Sequence, residues 1–125
     1  MIWALHGMMG CAGDWEGLEE AGISVRGVEL WEREAGFEEW AKGFCDEVEA
    51  AEDDEAILLG YSMGGRLGLH ALLERPGLWT GAVIVSAHPG LRDKAEREER
   101  LERDLEWARR LREDELESVV ADWEG

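Results

Sequence analysis

The stretch LLGYSMGGRLGLH, Leu58 to His70, limits what this chain can fold into more than any other segment. Its first half is an apolar run with strand character. Its second half repeats apolar residues at helical spacing, and Gly60-x-Ser62-x-Gly64 joins the two. That order calls for a strand that turns abruptly into a helix with a serine at the corner, the context in which this motif presents a reactive serine. The spacing is steric in origin: flanking glycines let neighbouring backbone pass close by, so that Ser62 Oγ projects at the top of a sheet. The amide of Met63, at the helix N-terminus, points toward the same place and can stabilise an oxyanion. The alternative is a Gly-rich turn with a capping serine. A phosphate-binding loop is excluded, because no lysine follows Gly65, and neither this stretch nor GMMGCAG supplies the G-x-G-x-x-G of a dinucleotide loop.

The rest of the chain repeats the same alternation. MIWALH (Met1–His6) reads as a buried strand ended by glycine, followed by a Gly-rich loop in which Asp14 is placed to cap a short helix from Trp15. ISVRGVEL (Ile23–Leu30) reads as a second strand. FEEWAKGFCDEVEA sets Phe37, Trp40, Ala41, Phe44, Cys45 and Val48 on one helical face. AILLGYS is a third strand, GGRLGLHALLER a third helix closed by Pro76 and Gly77, and TGAVIVSA (Thr80–Ala87) a fourth strand. Strands alternating with helices predict a mostly parallel α/β sheet of about four strands with helices on both faces. After His88-Pro89-Gly90 the chain becomes arginine, glutamate and leucine. A helix over 91–112 is expected, with Leu101, Leu105, Ala108 and Leu111 as its apolar stripe. The acid-first pairs Asp93–Arg97, Glu96–Arg100, Glu99–Arg103 and Glu106–Arg110 would brace it, and a short helix over 113–123 follows.

Thirty acids against thirteen bases give a net charge of −17, a field that repels nucleic acid and anionic membrane. No run approaches the roughly 18 apolar residues of a membrane span. The N-terminus has no basic region or cleavage pattern, and Cys11 and Cys45 form no disulfide framework or metal spacing. A cytoplasmic location is the expectation, with no metal and no cofactor.

Several further residues are candidates. The His6-Gly7 step after the first strand is the usual place for a second oxyanion donor, here the amide of Met8, with His6 shaping the loop. Arg66 lies one helical turn beyond Ser62, and spacing leaves pocket and surface equally open. Tyr61 lines the pocket or packs. His70 reads as a packed helix histidine. His88 follows the fourth strand, at the end where sites form in open sheets, and suits ligand contact better than a base role.

Three segments together, LHGMMGCAGDW, GYSMGGRLGLHALLERPGLWTGAVIVSAHPGL and REERLERDLEWARRL, resemble the α/β-hydrolase-fold 2-succinyl-6-hydroxy-2,4-cyclohexadiene-1-carboxylate synthases of menaquinone biosynthesis. Ser62 to Arg66, His88 to Leu91, and Arg100, Asp104 and Trp107 are the specific parts. The resemblance implies a three-layer α/β-hydrolase fold, with 1–90 as a partial core and 91–125 as the start of a helical lid. It implies a lyase that removes pyruvate from an enolpyruvyl-cyclohexene dicarboxylate, an anionic small molecule. Ser62 is then the triad serine that abstracts a ring proton, and Met8 and Met63 supply the oxyanion amides. Arg66 and Arg100 hold carboxylates, while Tyr61, His88 and Trp107 line the pocket. Family members run to about twice this length, as is usual for single α/β domains. The chain is therefore expected to be an N-terminal portion without the triad acid and histidine, which follow the serine in this fold, and to be inactive alone. An ester or thioester hydrolase of the same fold would use Ser62 and the amides without Arg66 and Arg100. A non-catalytic module would instead dock on a completing partner, and an uncovered edge at the fourth strand would be open to self-association.

Overall fold

Four apolar runs form one parallel sheet. β1 (Ile2–Leu5), β2 (Val25–Val28), β3 (Ile57–Tyr61) and β4 (Gly81–Val85) lie in the order β2-β1-β3-β4. The register sets Trp3 beside Arg26 and Leu58, and Leu5 beside Val28 and Gly60. The second strand contracts from the expected eight residues to the four that pair with β1, and the fourth loses residues at both ends. The computed structural model describes residues 1–125, which divide into two compact units, Met1–Pro89 and Gly90–Gly125. No helix is long and apolar enough to cross a membrane.

In the first unit, alternate strand residues turn Trp3, Leu5 and Leu58 toward α2 (Phe37–Ala50) and α3 (Met63–Glu74). α2 has the bounds its periodicity predicts. It buries Trp40, Ala41, Phe44, Cys45 and Val48, and Glu38 and Glu39 sit in the first turn, where the helix dipole favours acids. Phe44 is the hub of the core. Its ring meets Trp3 edge-on at 6.2 Å, Trp40 at 5.1 Å and Trp79 in a stack at 5.7 Å. Truncating such a ring to alanine costs about 3–5 kcal/mol. Cys45 donates its thiol to the Ala71 carbonyl at 3.5 Å, tying α2 to α3, and burial pushes that thiol up to about 11.

The other face of the sheet departs from the expectation of full cover. A 3-10 turn (Ala12–Trp15) and α1 (Glu16–Glu20) lie over β2, so close that a Cβ at Gly27 would collide with the Ala12 carbonyl oxygen. Over β3 and β4 the same face carries Ile57, Leu59, Val83 and Val85, of which Val83 and Val85 are 53% and 43% exposed. The reason is length. Five helical residues span roughly 8 Å, whereas four strands spread over roughly 14 Å. β4 also keeps one edge unpaired.

The second unit is a helical hairpin of α4 (Lys94–Glu113) and α5 (Leu116–Glu124). α4 starts three residues later than expected, because Asp93 Oδ1 accepts the Ala95 amide at 2.8 Å and so caps the helix. The expected acid-first pairs do not form. Asp93 is engaged as the cap, Arg97 donates to the carbonyls of Leu91 and Arg92, and Glu106 turns to Arg109 at 2.6 Å. The pairs that form at i,i+4 are base-first: Lys94–Glu98, Arg100–Asp104, Arg109–Glu113 and Arg110–Asp114. Exposed helix pairs are worth only about 0.3–0.5 kcal/mol each, so capping outweighs any one of them. Leu101, Leu105 and Leu111 are exposed, so the expected stripe is not a packed one. The hairpin is instead held by Trp107 edge-on against Trp123 at 5.0 Å and by Arg110, which reaches Asp114 at 3.0 Å and Asp122 at 2.6 Å.

Candidate active site

Ser62 belongs to a strand and a helix at once. Its amide donates to the Val85 carbonyl at 2.9 Å, extending the β3–β4 ladder by one rung. Its carbonyl accepts the Arg66 amide at 3.1 Å, closing the first turn of α3. Satisfying both forces φ to 53° with ψ at −117°. A residue with a side chain rarely adopts that backbone, and holding it costs on the order of 1–3 kcal/mol. The flanking glycines make the corner possible. A Cβ at Gly60 would stand 2.7 Å from the Gly64 carbonyl oxygen, and one at Gly64 would collide with the carbonyl oxygens of Leu5 and His6. The start of α3 is thus pressed against the ends of β1 and β3, and the serine is lifted between them.

The same contacts set the surroundings of the two amides expected as oxyanion donors, those of Met63 and Met8. Met63 opens the twelve-residue α3, and its amide is one of the free donors of a helix N-terminus. Gly7 lies against the serine: a Cβ there would be 3.2 Å from the Tyr61 ring and 3.6 Å from Ser62 Cβ. Met8 is the next residue, and its amide has no hydrogen-bond acceptor within the chain. The loop carrying it is tightly tied. Gly10 N donates to Gly7 O at 3.1 Å, and Cys11 N donates to Asp14 Oδ2 at 3.1 Å. Asp14 therefore folds back onto the loop as the third residue of the 3-10 turn, and does not cap a helix from Trp15 as its spacing suggested.

His6 is buried and is held on three sides. Nδ1 lies 2.6 Å from Gly7 O, Nε2 lies 2.9 Å from Glu29 Oε1, and the Leu30 amide nitrogen lies 3.1 Å from the same Nε2. It shapes the loop, as expected. Glu29 was not singled out from sequence; the signal available was an acid closing an apolar strand. Its other oxygen accepts the Ala12 amide at 3.1 Å. That bond, with His6 beside it, holds the carboxyl below its ordinary range against the opposing effect of burial.

The other candidates are distributed as follows. Tyr61 is 47% exposed against Gly7. Arg66 is half-buried with its guanidinium 5.1 Å from the Phe37 ring centroid, a cation–π contact, and no carboxylate of the chain pairs with it. His70 packs edge-on against Phe37 at 5.4 Å. His88 is exposed beyond β4. Both ring nitrogens of His6 are turned to Gly7 and Glu29 and not to Ser62 Oγ. Arg100, paired with Asp104 at 2.9 Å, and Trp107 belong to the second unit. Two clefts of about 260 and 470 Å³ open elsewhere on the first unit, one along β2 beside Arg26 and Arg33, the other between Lys42 and His70. Neither is lined by Ser62.

No family model matches the chain. It is 30% identical over 128 residues to the 2-succinyl-6-hydroxy-2,4-cyclohexadiene-1-carboxylate synthase of Escherichia coli O1:K1 / APEC, which covers 95% of this chain and 51% of that one. Synthases of the same name from Enterobacter sp. (strain 638) and Serratia proteamaculans (strain 568) are 35% and 46% identical. Those matches cover 71% and 53% of this chain, and 34% and 26% of the relatives. The chain thus spans about half the length, or less, of the curated relatives it matches. Among solved structures it resembles an extracellular α/β-hydrolase from a Paenibacillus species, with a TM-score of 0.61 at 23% identity over 72% of this chain and 41% of the other. It also resembles a marine microorganism esterase, with a TM-score of 0.69 at 17% identity over 91% and 47%. These likenesses establish the fold, which is that of the α/β-hydrolases.

The strain at the corner has a measurable consequence. Glycine adopts positive φ freely, so Ser62→Gly relaxes the turn, whereas Ser62→Ala keeps it strained. In urea denaturation, Ser62→Gly is expected to be more stable than Ser62→Ala by about 1 kcal/mol. Equal midpoints would mean that the corner is unstrained.

Proposed function

The chain is homologous along nearly all of its length to the 2-succinyl-6-hydroxy-2,4-cyclohexadiene-1-carboxylate synthases, and on that premise we propose that it carries the serine side of a lyase site that eliminates pyruvate from an enolpyruvyl-cyclohexene dicarboxylate. The observation that carries the reading is the Ser62 corner, with φ at 53° and the Met63 and Met8 amides beside it unengaged. In the proposed step the serine, once deprotonated, takes a proton from ring carbon. The electrons left behind form a ring double bond, the bond to the enolpyruvyl oxygen breaks, and the enolate of pyruvate departs, becoming pyruvate as it takes up a proton equal to the one removed from the ring. The two amides would hold the negative charge that develops, as oxyanion donors do. Arg66 would grip a substrate carboxylate with its fork, and Tyr61 and His88 would line the pocket. For Arg100 and Trp107 the assignment rests on the family resemblance alone.

A serine takes a proton from carbon only after a base has taken its own, and triad members act as a unit. His6 is engaged with Gly7 and Glu29 and His70 packs on Phe37, and the chain alone is expected to release no pyruvate from the precursor above background. A burst of pyruvate abolished by Ser62→Ala would overturn this. Binding tests the rest. The cyclohexadiene product should bind the wild-type chain and lose about tenfold or more of its affinity in Arg66→Ala, the loss of one charge-assisted contact. Unchanged affinity, with a neutral ester hydrolysed equally by both, would favour the ester or thioester hydrolase of the same fold.

The exposure of Val83 and Val85 on an unpaired edge favours a further reading, association with a second copy. β4 (Gly81–Val85) carries no charge, and antiparallel pairing about Val83 is self-complementary. Sedimentation should show a dimer in the wild type and a monomer in Val83→Lys. A wild-type monomer at millimolar concentration would remove this reading.

A further inference from the structure

The loop that presents the Met8 amide is short, rich in glycine and partly exposed, yet an oxyanion donor is useful only if it is held still. What holds it comes from β2. The parallel register that sets Leu5 beside Val28 also sets the next residues, His6 and Glu29, side by side. Glu29 then makes two contacts with two different parts of the loop. Oε2 accepts the Ala12 amide at 3.1 Å, at the loop's far end. Oε1 lies 2.9 Å from His6 Nε2, and the opposite side of that ring, Nδ1, faces the Gly7 carbonyl at 2.6 Å, at the loop's near end. Because a carbonyl and a carboxylate both only accept, the ring is the donor in each contact, Nδ1–H to Gly7 O and Nε2–H to Glu29 Oε1. Gly7 O receives a second donor from Gly10 N at 3.1 Å, which closes the turn around Met8 and Met9. The His6 side chain is fully buried and that of Glu29 is 29% exposed, so the pair is partly shielded from water.

We infer that Glu29 is a positioning residue for the oxyanion loop: through Ala12 directly and through His6 indirectly, it fixes both ends of the segment that holds the Met8 amide beside Ser62. Glu29 has no direct part in the chemistry. The inference rests on the reading of Met8 as an oxyanion donor, but it concerns the order of the loop, which can be measured whether or not Ser62 reacts.

Backbone amide exchange and 15N relaxation on the whole chain provide the test, with Glu29→Ala and Glu29→Gln compared. Glutamine keeps one oxygen, enough for the Ala12 amide but not for the His6 N–H as well; alanine serves neither. In Glu29→Ala the Ala12 amide should exchange about tenfold faster or more, as expected for loss of a hydrogen bond to a charged group. The amides of Gly7 to Cys11 should gain fast motion, while those of α2 and β3 keep wild-type protection. Glu29→Gln should restore slow exchange at Ala12 and part of the loop's order. Wild-type exchange at Ala12 and an unchanged loop in Glu29→Ala would overturn the inference. So would equal disturbance by both variants, or a loss of protection spread evenly through α2, since either marks a general structural role. The Met8 reading fails separately: Met8→Pro, which removes the amide hydrogen, would then leave the affinity for the cyclohexadiene product unchanged while Glu29 still orders the loop.

Discussion

The close approach of one helix end to two strand ends governs this molecule. α3 begins where the carbonyls closing β1 and the last residues of β3 leave no room for a β-carbon. Glycine at 60 and 64 is the consequence, and so is the backbone of Ser62, which cannot serve both the β4 ladder and the α3 turn in any ordinary conformation. Strain of this kind persists only where the surroundings over-determine it. Here they do, because α3 is fixed along its length by Leu67 and Ala71 against the core built on Phe44. The packing that stabilises the first unit is therefore also what keeps the serine in a half-buried and costly position.

The same geometry explains what the sequence made legible. Features set by short-range periodicity were readable: α2 has its expected bounds, and the Gly-x-Ser-x-Gly turn lies on a strand and a helix. Features decided by competition among near-equal partners were not. On α4 each acid has several arginines within reach, every pairing is worth a fraction of a kcal/mol, and capping by Asp93 shifts the choice. Asp14 misled for a related reason, since an aspartate three residues after Cys11 can fold back on a 3-10 turn as readily as it can start an α-helix. Glu29 was invisible because its role depends on strand order. Only the parallel pairing of β2 with β1 brings it beside His6. The bare face over β3 and β4 was likewise hidden, because continuous apolar runs suggest cover without saying how far a five-residue helix extends.

The candidate site was half legible. The serine and the Met63 amide come from one contiguous motif, and the His-Gly step pointed to Met8. The arginines needed more than spacing. Arg66, four residues past Ser62, could have lain on either side of its helix.

Its surroundings sharpen that question. In a chain with a net charge of −17, two of the arginines of the first unit are claimed by acids. Arg33 pairs with Glu47, and Arg75 pairs with both Asp46 and Glu49. Arg26 and Arg66 are instead held by aromatic faces, those of Trp3 and Phe37. A ring fixes the plane of a guanidinium without using its N–H donors, which face outward in a fork suited to a carboxylate. Placing such a group one turn from Ser62 in so acidic a protein has a clear electrostatic effect: it offers an approaching anion a local cation whose charge no neighbouring carboxylate has neutralised. A serine acting on neutral esters has no need of that arrangement, and this favours an anionic substrate at the Ser62 corner.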